Sequence, residues 1–277
     1  MSGRLSLVAT PIGNLEDLSL RAIRVLREAS TVLAEDTRHT RGLLEAHHIG
    51  TRLESLHEHS TPAQIERQLE ALRGGAHLAL VTDAGTPLVS DPGAALVERA
   101  IEEGIRVEPI PGPSAVLAAI TVAGFPAPTF AFAGFLPRKG EERREALEKV
   151  RASTDAVVIF ESPKRIRETL TDLEPVLGAR RVAVARELTK VHEEVLRGTA
   201  AEVRARLAEE VRGEITVVIE GAAPTRRDRE LPPWADAFVE MLRADGARTR
   251  TLADALALAT GISKSDAYAH VLSLRGE

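Results

Sequence analysis

The 277-residue chain is long enough for about two domains and for burying roughly three-quarters of its unfolded surface, so its core needs no disulfide or metal. It contains no cysteine, which excludes disulfide scaffolds, thiolate zinc sites, iron–sulfur clusters and cysteine nucleophiles. With 44% hydrophobic, 28% charged and only 3% aromatic residues and a formal charge of −5, it is neither a disordered chain nor an aromatic base-stacking platform; any contact with nucleic acid must come from local patches.

Short apolar runs at residues 5–9, 31–34, 76–81, 106–110, 129–133, 156–160, 181–186 and 215–219 read as strands covered on both faces. The first is too short for a signal-peptide core, and no run approaches a membrane span, so the chain is expected to be soluble and cytoplasmic. Helix-period stripes lie between the runs, such as Ala22, Ile23, Leu26 and Ala29, or Ile65, Leu69 and Leu72. The alternation predicts an α/β fold with largely parallel pairing. The Pro/Gly run 109–113 divides it into α/β domains at 1–112 and 113–221. Residues 222–233 read as a proline-rich linker, and 234–277 as a small helical domain. In that domain a helix over 252–259, a glycine turn and a helix over 264–274 match a helix-turn-helix unit.

Three loops follow strands at the positions where open α/β sheets bind ligands. The first, residues 10–15, has only Gly13 where a dinucleotide fold would carry three glycines, so the acids Glu35 and Asp36 after the next strand are a weak nucleotide signal. The second, residues 82–93, is long and stiffened by two prolines; Asp91 suits a helix cap, whereas Asp83 has no structural excuse. The third, residues 111–115, opens a helix with Ser114 as its cap, and that helix start also suits a carboxylate ligand.

These loops occur in order with Glu35-Asp36-Thr37-Arg38, Gly134-Phe135-Leu136-Pro137-Arg138-Lys139, Glu161-Ser162-Pro163-Lys164-Arg165-Ile166 and Arg186-Glu187-Leu188-Thr189-Lys190. Together they closely resemble the ribosomal RNA small-subunit methyltransferase I family, within the tetrapyrrole-methylase-like superfamily. The resemblance implies two α/β domains with S-adenosylmethionine folded in the cleft between them. It also implies methyl transfer to the ribose 2′-hydroxyl of a cytidine in small-subunit ribosomal RNA, free or in the assembled subunit, by a homodimer. Carried onto this chain, the cofactor positions are Ile12, Asp83, Gly85, Thr86, Val89, Ser114, Ala115, Phe160, Ala185 and Glu214. The Gly-Asp-Pro motif of many relatives is here Gly85-Thr86-Pro87, which leaves the role of its aspartate to Asp83 or to backbone amides.

Such a transfer needs in-line alignment and a base within reach of the hydroxyl, but no metal. Asp36, Glu58 and Glu187 are the candidate bases, each with an ion-pair role to Arg38, Lys190 or Arg186 as the competing reading. His57 and His59 flank Glu58 but lack a third ligand, so no metal site is assigned. The cations expected to meet RNA are Arg38, Arg138, Lys139, Lys164, Arg165 and Lys190, while the helix from Arg143 onward reads as a solvated face. Three alternatives remain at this point. They are a tetrapyrrole C-methylase of the same superfamily, a nicotinamide-dependent oxidoreductase, and a helix-turn-helix regulator whose region 223–277 carries eight cationic and eight acidic residues.

Overall fold

A computed structural model of the protein describes residues 3–57, 60–89, 93–223, 231–262 and 264–274. The chain forms two compact units, Met1–Gly221 and Ala222–Glu277.

The first unit holds two five-stranded sheets. Strands β1 (Arg4–Val8), β2 (Thr31–Ala34), β3 (Leu53–Ser55), β4 (His77–Val81) and β5 (Arg106–Ile110) pair in the order β3-β2-β4-β1-β5, all parallel. Four helices connect them: α1 (Leu20–Glu28), α2 (Thr37–Ala46), α3 (Pro62–Arg73) and α4 (Ala94–Glu102). Val8, Ala79 and Val81 pack with residues of α1 and α2, while their neighbours Leu5, Leu78 and Leu80 pack with α3 and α4. Both faces are covered, which explains why these strands read as unbroken apolar runs. The caps are local. Asp36 accepts the Arg38 amide at the start of α2, and Thr61 and Gln64 form a capping box on α3. Gly93 occupies the cap position of α4; Asp91, expected to cap it, lies outside the described residues.

The second half departs from the expected parallel pairing. Helix α5 (Ala115–Val122), capped by Ser114, leads into β6 (Phe130–Phe135), α6 (Gly140–Ala152), β7 (Ala156–Glu161), α7 (Ile166–Leu177), β8 (Arg181–Arg186), β9 (Glu194–Thr199), α8 (Ala200–Arg206) and β10 (Ile215–Ile219). Their order is β6-β7-β10-β8-β9, with only β6 and β7 parallel. The seven-residue loop between β8 and β9 cannot carry a crossover helix, so the chain turns straight back, and β10 then enters between β7 and β8 against both. One face of this sheet packs on α6, α7 and α8, the other on α5 together with Ile12 and Leu188. Ile12 thus carries the first half's opening loop into the second half's core.

Helix α6 is less solvated than its charge pattern suggests. Arg143 is buried and donates to Asp172, Thr169 and the carbonyl of Pro137. Arg165, expected at a helix start, immediately precedes α7.

The second unit contains α9 (Ala235–Ala244), α10 (Thr249–Thr260) and α11 (Lys264–Ser273), one helix more than the glycine-separated pair the sequence indicates. Val239, Leu252, Leu256, Ala267 and Val271 form its core, and Gly261 ends α10 in the left-handed conformation.

Leu170 is fully buried in the core of the second half, whereas Leu258 is 89% exposed on α10. Leu170→Ala should lower the unfolding free energy by about 2–5 kcal/mol, and Leu258→Ala should change it by no more than about 0.5 kcal/mol. Denaturant titrations of both variants check this; equal losses would contradict the core assignment.

Candidate active site

The three sequence-marked loops are tied together by main-chain bonds. Thr10 and Gly85 form an isolated antiparallel bridge, with Thr10 N–H donating to Gly85 O at 2.9 Å and Gly85 N–H to Thr10 O at 3.1 Å. The buried Thr10 hydroxyl donates to Thr82 O at 3.1 Å, and Thr86 Oγ1 donates to Pro113 O at 3.2 Å, linking the second loop to the third. From the second half, the loop after β8 closes against the first. A Cβ on Gly13 would stand 2.8 Å from Leu188 O, so only glycine permits this approach. That loop is itself strained, with Glu187 and Thr189 in left-handed backbone at φ 51° and 67°.

Two cavities adjoin at these loops. The first, of about 370 Å³, lies between the halves. Ile12, Gly85, Thr86 and Val89 line it from the first half, and Ser114, Ala115, Phe160 and Glu214 from the third loop and the second half. Two expected cofactor positions stand elsewhere. Ala185 is buried in the core beneath the cavity, packed with Ile12 and Leu188. Asp83 lines the second cavity, of about 620 Å³, which also reaches Arg38, His39, Gly42 and Lys190. Ile12, Ala84 and Glu214 belong to both walls. Phe135, Glu161 and Ser162 also line the first cavity, and their places at the carboxyl ends of β6 and β7 are a usable signal; Thr216 lines it from the amino end of the antiparallel β10, where that signal does not reach.

Charge at the site is mostly paired. Asp36 caps α2, and hydrogen bonds from the Arg38 guanidinium and amide lower its carboxyl from the ordinary 3.8 to about 2. Glu187 accepts from Lys190 Nζ at 2.9 Å and from the Glu214 amide at 3.0 Å; the lysine bond holds its carboxyl below the usual range. Burial works against the charge on Lys190, but its bonds to Glu187 and Glu214 outweigh that and raise its pKa. Two of the three candidate bases are therefore committed to cations, and the third, Glu58, lies outside the described residues. Asp83 is placed differently. Its Oδ1 accepts the Asp36 amide at 3.1 Å, and no cation among the described residues pairs with it.

The expected RNA-contacting cations divide into two groups. Arg165 turns inward, donating to Leu136 O at 2.7 Å and pairing at 3.5 Å with Glu161, whose side chain is fully buried. Glu161 also accepts from the Ser162 amide and from Thr169 Oγ1, and Thr169 accepts in turn from Arg143. This network pins the loop after β6. Arg138 and Lys139 on that loop, and Lys164 on the next, are exposed and have no ion-pair partner among the described residues. The Arg38 side chain is 91% exposed beside Asp36, and Lys190 is held by its two carboxylates.

The profile of the Tetrapyrrole (Corrin/Porphyrin) Methylases matches residues 4–204. The chain is 43% identical to "Ribosomal RNA small subunit methyltransferase I" of Halalkalibacterium halodurans over 96% of this chain and 93% of that one. It is 46% identical over 220 residues to the protein of the same name from Thermotoga maritima, which covers 79% of this chain and 99% of that one. Among solved structures it resembles uroporphyrin-III C-methyltransferase from Thermus thermophilus in complex with S-adenosyl homocysteine, with a TM-score of 0.56, 19% identity and coverage of 78% of this chain and 97% of that one.

A carboxyl-resolved NMR titration should place Asp36 at about 2. Because the folded value is depressed, the contact with Arg38 contributes fully above the unfolded carboxylate range and fades as the pH falls towards 2. Arg38→Met should return Asp36 towards 3.8. An unchanged value in that variant would contradict the pairing.

Proposed function

The chain belongs to the tetrapyrrole (corrin/porphyrin) methylase family, and we propose that within it the protein methylates small-subunit ribosomal RNA, using S-adenosylmethionine. The observation that carries this reading is the 43% identity to an enzyme of that name along nearly the full length of both chains. The acceptor is the ribose 2′-hydroxyl of a cytidine, as the family resemblance carried by the ordered loop motifs implies. The same identity over both lengths favours RNA over a tetrapyrrole acceptor, for which the solved neighbour speaks only at the level of fold.

The first cavity fits the cofactor by size and by wall chemistry. Its volume lies in the range of small-molecule sites, and Ile12, Val89, Phe135 and Phe160 offer apolar surface. The amides of Ala115 and Val116 precede the first main-chain bond of α5, from Ala118 N–H to Ser114 O, so they can donate to a carboxylate. When bound, the cofactor supplies an electrophilic methyl group on a sulfonium. The chain's own residues then orient and exclude water. The Thr10–Gly85 bridge fixes the floor, Thr86 holds the second loop to Pro113, and the Glu161 network keeps the wall behind Phe160 rigid. Among the described residues no group of three or more acids and histidines could hold a metal ion.

Arg138, Lys139 and Lys164 supply the phosphate contacts, being exposed and unpaired among the described residues. The assembled small subunit is the better substrate, since a nucleotide already splayed from its stack costs less to present. The enzyme acts in the cytoplasm as a homodimer; the β6 sheet edge, with Phe130 41% exposed on it, supports pairing of two copies. No helix among the described residues is long and apolar enough to cross a membrane. The Thermotoga relative aligns almost completely over 220 residues, about the size of the first unit. That match supports placing methyl transfer in the first unit.

Calorimetry should detect S-adenosylmethionine binding that survives a chelator, and Ser114→Tyr should weaken it about tenfold or more by filling the cavity. Mass spectrometry of small-subunit RNA incubated with enzyme and cofactor should find one new methyl group, on a cytidine ribose. Cofactor binding without any ribose methylation would overturn the substrate reading.

A further inference from the structure

We propose that the second cavity receives the acceptor nucleotide, everted from its RNA, with Asp83 positioned to take the proton of its 2′-hydroxyl. This rests on the methyl-transfer reading above and assigns the other half of the reaction to named residues.

Three observations carry it. First, the cavity is about 620 Å³, ample for one nucleotide, and it adjoins the proposed cofactor cavity along Ile12, Ala84 and Glu214. Second, its wall suits a nucleotide in a protein with few aromatics. Pro11, Ile12, Leu15 and Leu43 offer aliphatic surface to a base, and the ion-paired Arg38 and Lys190 line the same cavity together with Asp83 and Glu214. Leu15 is 49% exposed, an apolar side chain left uncovered on this wall.

Third, Gly42 lacks a structural reason to be glycine. It sits inside α2, where glycine weakens a helix relative to alanine. Its backbone is not left-handed, and a Cβ there would meet no atom within 4 Å. Neither backbone geometry nor packing excludes a side chain. Gly42 is exposed and lines the cavity, so a larger side chain there would take space from an occupant.

Asp83 is the carboxylate best placed for the proton. Asp36 and Glu187 are held by Arg38 and Lys190 and do not line this cavity. Lys190 keeps its proton between two carboxylates, and Glu214 is paired to it. Asp83 lines this cavity and is held through Oδ1 by the Asp36 amide, with no hydrogen bond to Oδ2 among the described residues. In the step, the hydroxyl oxygen bonds to the methyl carbon as the donor's carbon–sulfur bond breaks. The sulfur keeps that electron pair, and the hydroxyl proton passes to the Asp83 carboxylate.

Wild type, Gly42→Leu and Asp83→Asn are compared in three measurements: S-adenosylhomocysteine affinity by calorimetry, small-subunit affinity by filter binding, and ribose methylation by mass spectrometry. Both variants should keep the wild-type affinity for S-adenosylhomocysteine, which also reports an intact fold. Asp83→Asn retains an acceptor for the Asp36 amide; it should bind the subunit normally and methylate about 100-fold or more slowly. Gly42→Leu should lose methylation to a similar extent, with weakened subunit binding. Methylation by either variant within a few-fold of wild type would overturn the assignment, as would loss of S-adenosylhomocysteine binding in either. A wild type that binds S-adenosylhomocysteine but leaves the RNA unmethylated would overturn the functional reading, and this one with it.

Discussion

The site depends on one short piece of main-chain pairing, the reciprocal bridge between Thr10 and Gly85. Parallel sheets end in loops with no hydrogen-bond partners of their own, and a loop as long as that after β4 would otherwise be free to move. The bridge adds two main-chain bonds beyond the ends of β1 and β4, and the buried Thr10 hydroxyl adds a third to Thr82. With the second loop so fixed, Thr86 reaches Pro113 and holds the start of α5, which forms the floor on the side of the second half. Ile12 then packs into the second half's core, and Gly13 lets the Leu188–Lys190 loop close over it. Local backbone geometry thus sets the separation of two sheets and leaves two cavities on either side of a shared wall.

Around this frame, electrostatics separates groups that hold from groups that are available. The Asp36–Arg38 and Glu187–Lys190–Glu214 pairs shape loops and keep their charges. The buried Glu161, with Arg165, Thr169 and Arg143 around it, fastens the loop that carries Arg138 and Lys139. Removing one partner of such a buried set costs more than the pair contributes, which makes it a rigid support. The exposed cations beyond it, and Asp83, have no ion-pair partner among the described residues.

Much of the fold was legible in the residues. The runs 31–34, 181–186 and 215–219 coincide with β2, β8 and β10 end to end, because strands covered on both faces need continuous apolar sequence, and the run 106–110 coincides with the edge strand β5. The edge strands β3 and β9 were not legible: one has three residues, and the other contains Glu194, Arg197 and Gly198, a composition that edges tolerate and centres do not. The antiparallel pairing of the second sheet was hidden because strand–helix alternation does not reveal where a short loop sends the chain straight back. Within the site, motif order located the loops, but side-chain direction did not follow from it. Asp83 and Gly85 stand two residues apart and line different cavities, while Ala185, at a strand end, points into the core. Arg143 and Arg144 are neighbours in a charged helix, and only the position of Thr169 and Asp172 decides which of them is buried.

On the proposed assignment, methyl donor and acceptor occupy adjoining cavities that share Ile12, Ala84 and Glu214 as lining residues. Hydrogen–deuterium exchange with two ligands tests it most directly: S-adenosylhomocysteine alone, and a bisubstrate analogue in which its sulfur is tethered to the 2′-oxygen of cytidine. The first ligand should slow exchange in residues 84–89, 114–116 and 213–216, and the second should add protection in residues 10–15 and 38–43. An analogue that binds yet leaves residues 10–15 and 38–43 exchanging as they do with S-adenosylhomocysteine alone would contradict it.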